Sequence, residues 1–308
     1  MPDALGKESA LPADNRDRNV RKWLGQRLSE TGLAMLDTPR EREAIADRLM
    51  TDLDHRGRIL LEALDRRYDE GELTRLGQHL DRVLSGEPVQ RVLGWTEFRG
   101  LRIGCAGDVL IPRPETEEVV GWFLEGMSGV AHQAEHRPIR VLDVGTGSGC
   151  MALALKRERP DWEVVAIDLS PEALDQARAN AAELRLDVEF RQVDALDPQA
   201  LAALGPFHGA VSNPPYIPQS EGLEPHVVDH EPAMALFVPD DDPLCFYKAL
   251  VDWASGSLVP GGCLVAECHH ALVREVVDCW QLDGAFSECL TDLQGAERAV
   301  RLLRPGCR

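Results

Sequence analysis

Asn213 closes a short apolar run and is followed at once by two prolines and a tyrosine, in VSNPPYIP (211–218). An asparagine held on so stiff a segment suits one kind of chemistry. A planar primary amide or exocyclic amine is a poor nucleophile, because its nitrogen lone pair is delocalised. A site can accept both of its N–H groups, one on the side-chain carbonyl of Asn213 and one on the backbone carbonyl of Pro214. That aims the nitrogen at an electrophile and favours the positive charge developing on it. Tyr216 supplies a flat apolar wall for a planar group. Pro214 and Pro215 fix the angle between these parts and leave little conformational entropy to lose. The plainer role is a rigid turn where a strand must stop, since proline cannot donate to a sheet ladder. Which role applies depends on what lies upstream.

Upstream lies DVGTGSG (143–149), between an apolar run and a helical one. Gly145, Gly147 and Gly149 let the backbone turn tightly and approach a ligand, with helix N–H groups pointing at it. The spacing is GxGxG. A dinucleotide fingerprint would need glycine at 150, where Cys150 stands, and no GK[ST] follows to make a phosphate-cradling Walker loop. Asp168 ends the next predicted strand, where a carboxylate can take both hydroxyls of a ribose. Asp194 ends the third. Each aspartate could instead cap the helix that follows it. Taken together, the loop and the two acids resemble the class I S-adenosylmethionine-dependent methyltransferases. The resemblance implies that Gly145, Thr146, Gly147, Ser148 and Gly149 wrap the methionine portion and Asp168 binds the ribose. Asp194 and Ala195 would border the adenine, with Asn213 facing the methyl group.

These residues need a scaffold, and the pattern supplies one. From about residue 139, apolar strands alternate with helices: IRVLDV (139–144), MALALKRERP (151–160), VVAID (164–168), PEALDQARANAAEL (171–184), DVEFRQVD (187–194), HGAVSN (208–213) and GGCLVAEC (261–268). This alternation predicts an α/β fold, a Rossmann-like, doubly wound and mostly parallel sheet. Ligands bind at the carboxyl ends of such strands, which is where Asp168 and Asn213 fall. Residues 1–16 read as a flexible polar tail and 17–85 as a helical bundle. In the bundle, Thr38 to Glu41 forms a capping box with Pro39 at the first helical position, and Ile45, Leu49 and Leu53 make an apolar stripe. Further amphipathic segments run from Ile59 to Leu64 and through Leu73, Leu76, Leu80 and Leu84, broken near Gly57 and Gly71. Residues 86–113 switch to β-type residues with glycine turns, as in a hairpin linker. The catalytic domain then spans 114–308, with Glu115, Glu117 and Glu118 suited to a helix N-terminus.

Composition narrows the partners. The formal net charge is −19 over 308 residues, which disfavours DNA and anionic membranes and fits a basic partner as well as plain solubility or a salty habitat. The eight cysteines include no CxxC pair. Cys263, Cys268, His269 and His270 match no standard zinc spacing, so no metal is expected. With no secretory signal and no apolar run long enough to span a bilayer, the chain reads as cytoplasmic and soluble.

GEPVQRVLGWTEF (86–98), LIPRPETEE (110–118), LDVGTGSG (142–149), SNPPYIP (212–218) and HEPAMAL (230–236) are similar to the HemK-type peptide chain release factor N5-glutamine methyltransferases. The resemblance runs from about residue 20 to the C-terminus. It implies S-adenosyl-L-methionine as cofactor and, as acceptor, the glutamine of the Gly-Gly-Gln loop of bacterial class I release factors. Asn213, Pro214, Pro215 and Tyr216 would hold that amide. The PRPET form favours release factors over a ribosomal-protein glutamine, and the acidic chain with no target-recognition insertion disfavours DNA. A non-catalytic cofactor-binding module is the reading from another class. The helical bundle is expected to grip the release factor, with acidic charge steering it. The chain departs from the family pattern at Arg91, Ala195 and Cys268 to His270.

Overall fold

A computed structural model of the chain describes residues 11–12, 15–31, 33, 36–53, 67–128, 130, 138–223, 228–282 and 284–306. The segment Ile59 to Leu64, the break near Gly57 and most of the polar tail lie outside them. The chain forms two compact units, divided between Gly94 and Trp95.

The first unit is helical: α1 (Asp17–Ser29), α2 (Pro39–Leu53), α3 (Glu70–Leu84) and the short α4 (Val89–Leu93). Apolar residues recur every three or four positions, so Val20, Leu24 and Leu28 of α1 meet Leu49 of α2 and Leu73, Leu76 and Leu80 of α3 in one core. The capping box at α2 forms, with Glu41 N–H donating to Thr38 Oγ1 and Thr38 N–H to Glu41. A second one opens α3, where Asp69 and Glu72 exchange the same bonds. Residues 89–93 depart from the β-type expectation. Their branched side chains favour strand locally. However, Pro88 precedes the turn, Gly94 closes it at φ 79°, and the helical spacing seats Val89 and Val92 on the bundle core. Tertiary burial overrides propensity there.

The second unit begins with a hairpin, β1 (Trp95–Phe98) and β2 (Leu101–Gly104). Arg99 and Gly100 both have positive φ, as a two-residue turn requires. Then follow α5 (Thr116–Gly126), β3 (Arg140–Val144), α6 (Cys150–Glu158), β4 (Glu163–Asp168), α7 (Pro171–Leu184), β5 (Glu189–Gln192), α8 (Pro198–Ala202) and β6 (Phe207–Ser212). A small parallel pair, β7 (Ile217–Pro218) and β8 (Phe237–Val238), brackets the short helix Ala233–Leu236. The helix Cys245–Ser257, β9 (Leu258–Glu267), the helix Val273–Cys279, β10 (Phe286–Thr291) and β11 (Glu297–Leu303) complete the unit.

The seven-stranded sheet has the order β10-β11-β9-β6-β3-β4-β5. β9, β6, β3, β4 and β5 run parallel, and β11 is antiparallel to both β9 and β10. Strand residues alternate between two apolar layers. Val141, Val164 and Val211 face α5 and α6, while Leu142, Val165 and Ala210 face the helices Cys245–Ser257 and Val273–Cys279. The chain leaves β3 for β4 on one side and later returns to β6 on the other, so the strand order reverses at β3. Crevices of such sheets open there. Among the described residues no helix is long and apolar enough to cross a membrane.

The fit of α5 on the sheet depends on one missing side chain. A Cβ at Gly209 of β6 would lie 2.6 Å from both Phe123 Cζ and Met127 Sδ, and the Phe123 ring is fully buried. Gly209→Ala should therefore destabilise the second unit by roughly 1–3 kcal/mol through overpacking, read as a lower urea midpoint at unchanged slope.

Candidate functional site

The glycine loop leaves β3 and is braced from two sides. The N–H groups of Gly145 and Thr146 both donate to the carbonyl of Ile167, at 2.9 Å, tying the loop to β4. Asn180 of α7, 2% exposed, donates to the carbonyls of Ser148 and Gly104 and accepts from Gly104 N–H. Within the loop the five residues divide. Gly145 and Gly147, at φ 72° and 54°, line a cavity of about 370 Å³. Thr146 and Ser148 are buried. Gly149, at φ 83°, caps α6 and would meet Ala177 at 3.1 Å if it carried a Cβ.

Asp168, Asp194, Ala195, Asn213 and Pro215 line the same cavity. Neither aspartate caps a helix: Ser170 caps α7 and Asp197 caps α8. Asp168 instead accepts the N–H of Gly147 at 2.8 Å and of Ser170 at 3.0 Å. Two carboxylate oxygens offer about four lone-pair sites, so acceptor capacity remains. Asp194 stands two residues beyond the end of β5 and accepts from Leu196 N–H. Leu169, Val193 and Leu196 give the cavity an apolar side.

Pro214 and Tyr216 line a second cavity of about 210 Å³, and Asn213 lines both. The prolines end β6 at Ser212, and the segment then pairs as β7 with β8, with Gln219 N–H donating to Val238 at 3.1 Å. The turn is thus fixed at both ends.

Several residues at the site lie in quoted motifs but had no role assigned from the sequence. Glu231 accepts from Ile111 N–H at 3.1 Å and pairs with Arg113, which lines the second cavity. Thr116 donates to Glu267 at 2.6 Å and accepts from Asn213 Nδ2 at 3.2 Å, while Tyr216 OH lies 3.4 Å from Glu267. A carboxylate at the end of the otherwise apolar GGCLVAE was the signal for Glu267. Thr116 closes the PRPET motif, which carried no role for its hydroxyl. Burial, with the adjacent Glu267 charge, holds the Tyr216 phenol far above its ordinary range, so Tyr216 stays neutral and does not serve as a base. None of the seven described cysteines forms a disulfide, and among the described residues no group of His, Cys, Asp or Glu could hold a metal ion.

The larger cavity is of small-molecule size, roughly 300–1,000 Å³ for such sites. Among the described residues its ionisable lining is Asp108, Asp168, Glu172 and Asp194, with no Lys or Arg. That charge suits a cationic ligand and opposes a pyrophosphate. A glycine cradle, a ribose-competent carboxylate and an apolar slot together fit S-adenosylmethionine, a sulfonium nucleoside.

A methyltransferase-domain family model matches residues 141–221. The chain is 39% identical to a release factor glutamine methyltransferase of Bacteroides thetaiotaomicron, over 71% of this chain and 74% of that one. It is 40% identical to one of Deinococcus radiodurans, over 74% and 78%. A third, of Bacillus subtilis, is 36% identical over 91% of this chain and 94% of its own length. Among solved structures, the hMettl16 catalytic domain in complex with MAT2A 3′UTR hairpin 6 has a TM-score of 0.50 at 14% identity, over 85% of this chain and 92% of that one. That likeness concerns the fold alone.

Asp143 braces the loop at a cost. Fully buried on β3, it accepts from Thr146 Oγ1 at 2.7 Å and Ala152 N–H at 3.0 Å through one oxygen, and Oδ1 has no protein partner. Burial pushes its carboxyl from 3.8 up to about 7, with the Asp168 charge adding to the rise. A carboxyl raised on folding stabilises the native state in acid, and that contribution is lost as pH rises from about 4 to about 7. Without cofactor, the stability of the wild type relative to Asp143→Asn should fall by on the order of 3–4 kcal/mol over that interval. Urea unfolding of both proteins at several pH values measures this, and a constant difference would refute it.

Proposed function

Because this chain belongs to the release factor glutamine methyltransferase family, an S-adenosylmethionine-dependent group, we propose that its acceptor is the side-chain amide N5 of the glutamine in the Gly-Gly-Gln loop of bacterial class I release factors. The observation that carries this reading is the position of Asn213, shared by the two cavities. A residue so placed can meet the cofactor on one side and the acceptor amide on the other.

The lining of the two cavities supports the following roles. Gly145 and Gly147 offer backbone approach to the methionine portion, Asp168 takes the ribose hydroxyls, and Asp194 and Ala195 border the adenine. Bound S-adenosylmethionine supplies an electrophilic methyl group. Asn213 Oδ1 and the Pro214 carbonyl accept the two N–H groups of the glutamine amide, which aims its nitrogen and favours the charge growing on it. Tyr216 packs against the amide plane, and Pro215 stiffens the segment. Once methylated, the nitrogen is far more acidic than a neutral amide, so its proton passes to water without a dedicated base.

Partner selection follows from charge and size. Residues 1–94 hold 16 Lys and Arg against 18 Asp and Glu, whereas residues 95–308 hold 17 against 34. The acidic steering first ascribed to the bundle therefore belongs to the second unit, and the near-neutral bundle is left to grip by shape. A basic protein surface suits that distribution, and neither nucleic acid nor an anionic membrane does. With release factors as the acceptor, the compartment this reading supports is the cytoplasm.

Incubated with cofactor and a purified class I release factor, the protein should add one methyl group to the loop glutamine, located by peptide mass spectrometry. Asn213→Ala should cut turnover by at least about 100-fold while calorimetric cofactor affinity stays near wild type; retained turnover would overturn the role. Asp168→Ala should weaken cofactor binding by roughly 10- to 100-fold, and unchanged affinity would remove Asp168 from the ribose site.

A further inference from the structure

Asn213 can serve the acceptor only if its amide points the right way. Its oxygen must face the cavity, because an NH₂ group presented there would oppose the N–H groups of the acceptor. An asparagine amide is nearly symmetric in shape, so packing alone does not choose between the two orientations. We infer that Glu267 and Thr116 choose it, as positioning residues that fix the polarity of the Asn213 amide. The inference rests on the acceptor role proposed for Asn213.

The argument is one of hydrogen counting. Thr116 and Glu267 are each 2% exposed. Their contact of 2.6 Å lies in the range of an O–H···O⁻ bond, roughly 2.5–2.7 Å. An ionised carboxylate can only accept, so the single hydroxyl hydrogen of Thr116 goes to Glu267. Thr116 Oγ1 then has only lone pairs left for Asn213, which must offer Nδ2; the contact is 3.2 Å. The carbonyl Oδ1 is thereby turned away from Thr116, toward the cavities that Asn213 lines. Protonating Glu267 removes the constraint: its hydroxyl can donate to Thr116, which then donates to Asn213 and favours the opposite orientation.

Glu267 is itself held in place. Its backbone carbonyl accepts from Tyr247 OH at 3.0 Å, and the Trp280 indole donates to the Tyr247 carbonyl at 2.9 Å. Facing or adjoining its carboxylate are Glu115 before α5, Cys150 of α6, Tyr216, Cys268 and Arg298 of β11. Burial raises its proton affinity, while Thr116 and Arg298 oppose that rise.

The test uses the full chain, a purified release factor and S-adenosylmethionine. Thr116→Val should lower kcat about ten-fold or more, with KM for the release factor and cofactor affinity within about two-fold. Thr116→Ser, which keeps the hydroxyl, should recover most of kcat. The wild type should lose kcat toward acid pH as Glu267 takes up a proton, and Glu267→Gln should have a lower kcat without that acid limb. Wild-type kcat in Thr116→Val, a Thr116→Ser no better than the valine variant, or an unaltered acid limb in Glu267→Gln would each overturn the inference. Should Thr116→Val fail to fold, the pH profile of Glu267→Gln decides alone. A wild type that leaves the release-factor glutamine unmodified would refute the acceptor assignment itself, an outcome distinct from any of these.

Discussion

The register of four parallel strands is the constraint from which the site follows. Ile167 of β4 pairs with Val144 of β3, Val144 with Ser212 of β6, and Ser212 with Ala266 of β9. One residue beyond that row stand Asp168, Gly145, Asn213 and Glu267. Four residues up to 122 positions apart in the chain are thus brought to one sheet edge by backbone hydrogen bonds alone. A slip of one residue in any strand would turn its side chains to the other face and break the row. The two apolar layers oppose such a slip, since each of these four strands buries alternate residues against helices on both faces.

Around that row, polar side chains do the fine positioning, and Asp143, Asn180 and Thr116 among them are buried. Asp168 holds Gly147, Asp143 holds Thr146, Asn180 holds Ser148, and Thr116 holds Asn213. A buried donor or acceptor left unpaired costs about 1–3 kcal/mol, so these contacts are hard to rearrange. The loop and the NPPY segment are irregular in backbone yet fixed in place, which suits a reaction needing a nitrogen and a methyl group aligned. Asp143 runs the other way: its unpaired oxygen and neighbouring negative charge trade stability for loop geometry.

The legible part of this arrangement was the part written locally. Each of Gly145, Asp168 and Asn213 ends an apolar run, so strand ends and chemistry could be read from the same few residues. The cap at Thr38 was legible for the same reason, since both partners lie within four residues. Val89–Leu93 misled because its branched residues favour strand in isolation, whereas its helical form is set by the bundle core it packs on. Thr116 and Glu267 stand in stretches that the sequence singles out, yet their contacts were not legible there, because the partners of Thr116 lie 97 and 151 positions away. No spacing rule connects such residues; only the sheet order does.

Charge works on the same site at longer range. Among the described residues the cavity presents four carboxyl-bearing residues and no Lys or Arg, which favours a cationic ligand before any contact forms. Positive charge that develops on an acceptor nitrogen during methyl transfer meets the same field, so one charge distribution serves both binding and reaction. Confining the excess acid to the second unit also separates two tasks. On the function proposed above, long-range attraction of a basic partner acts through the unit that holds the chemistry, while the helical unit, with charges nearly balanced, is left to contribute surface and shape.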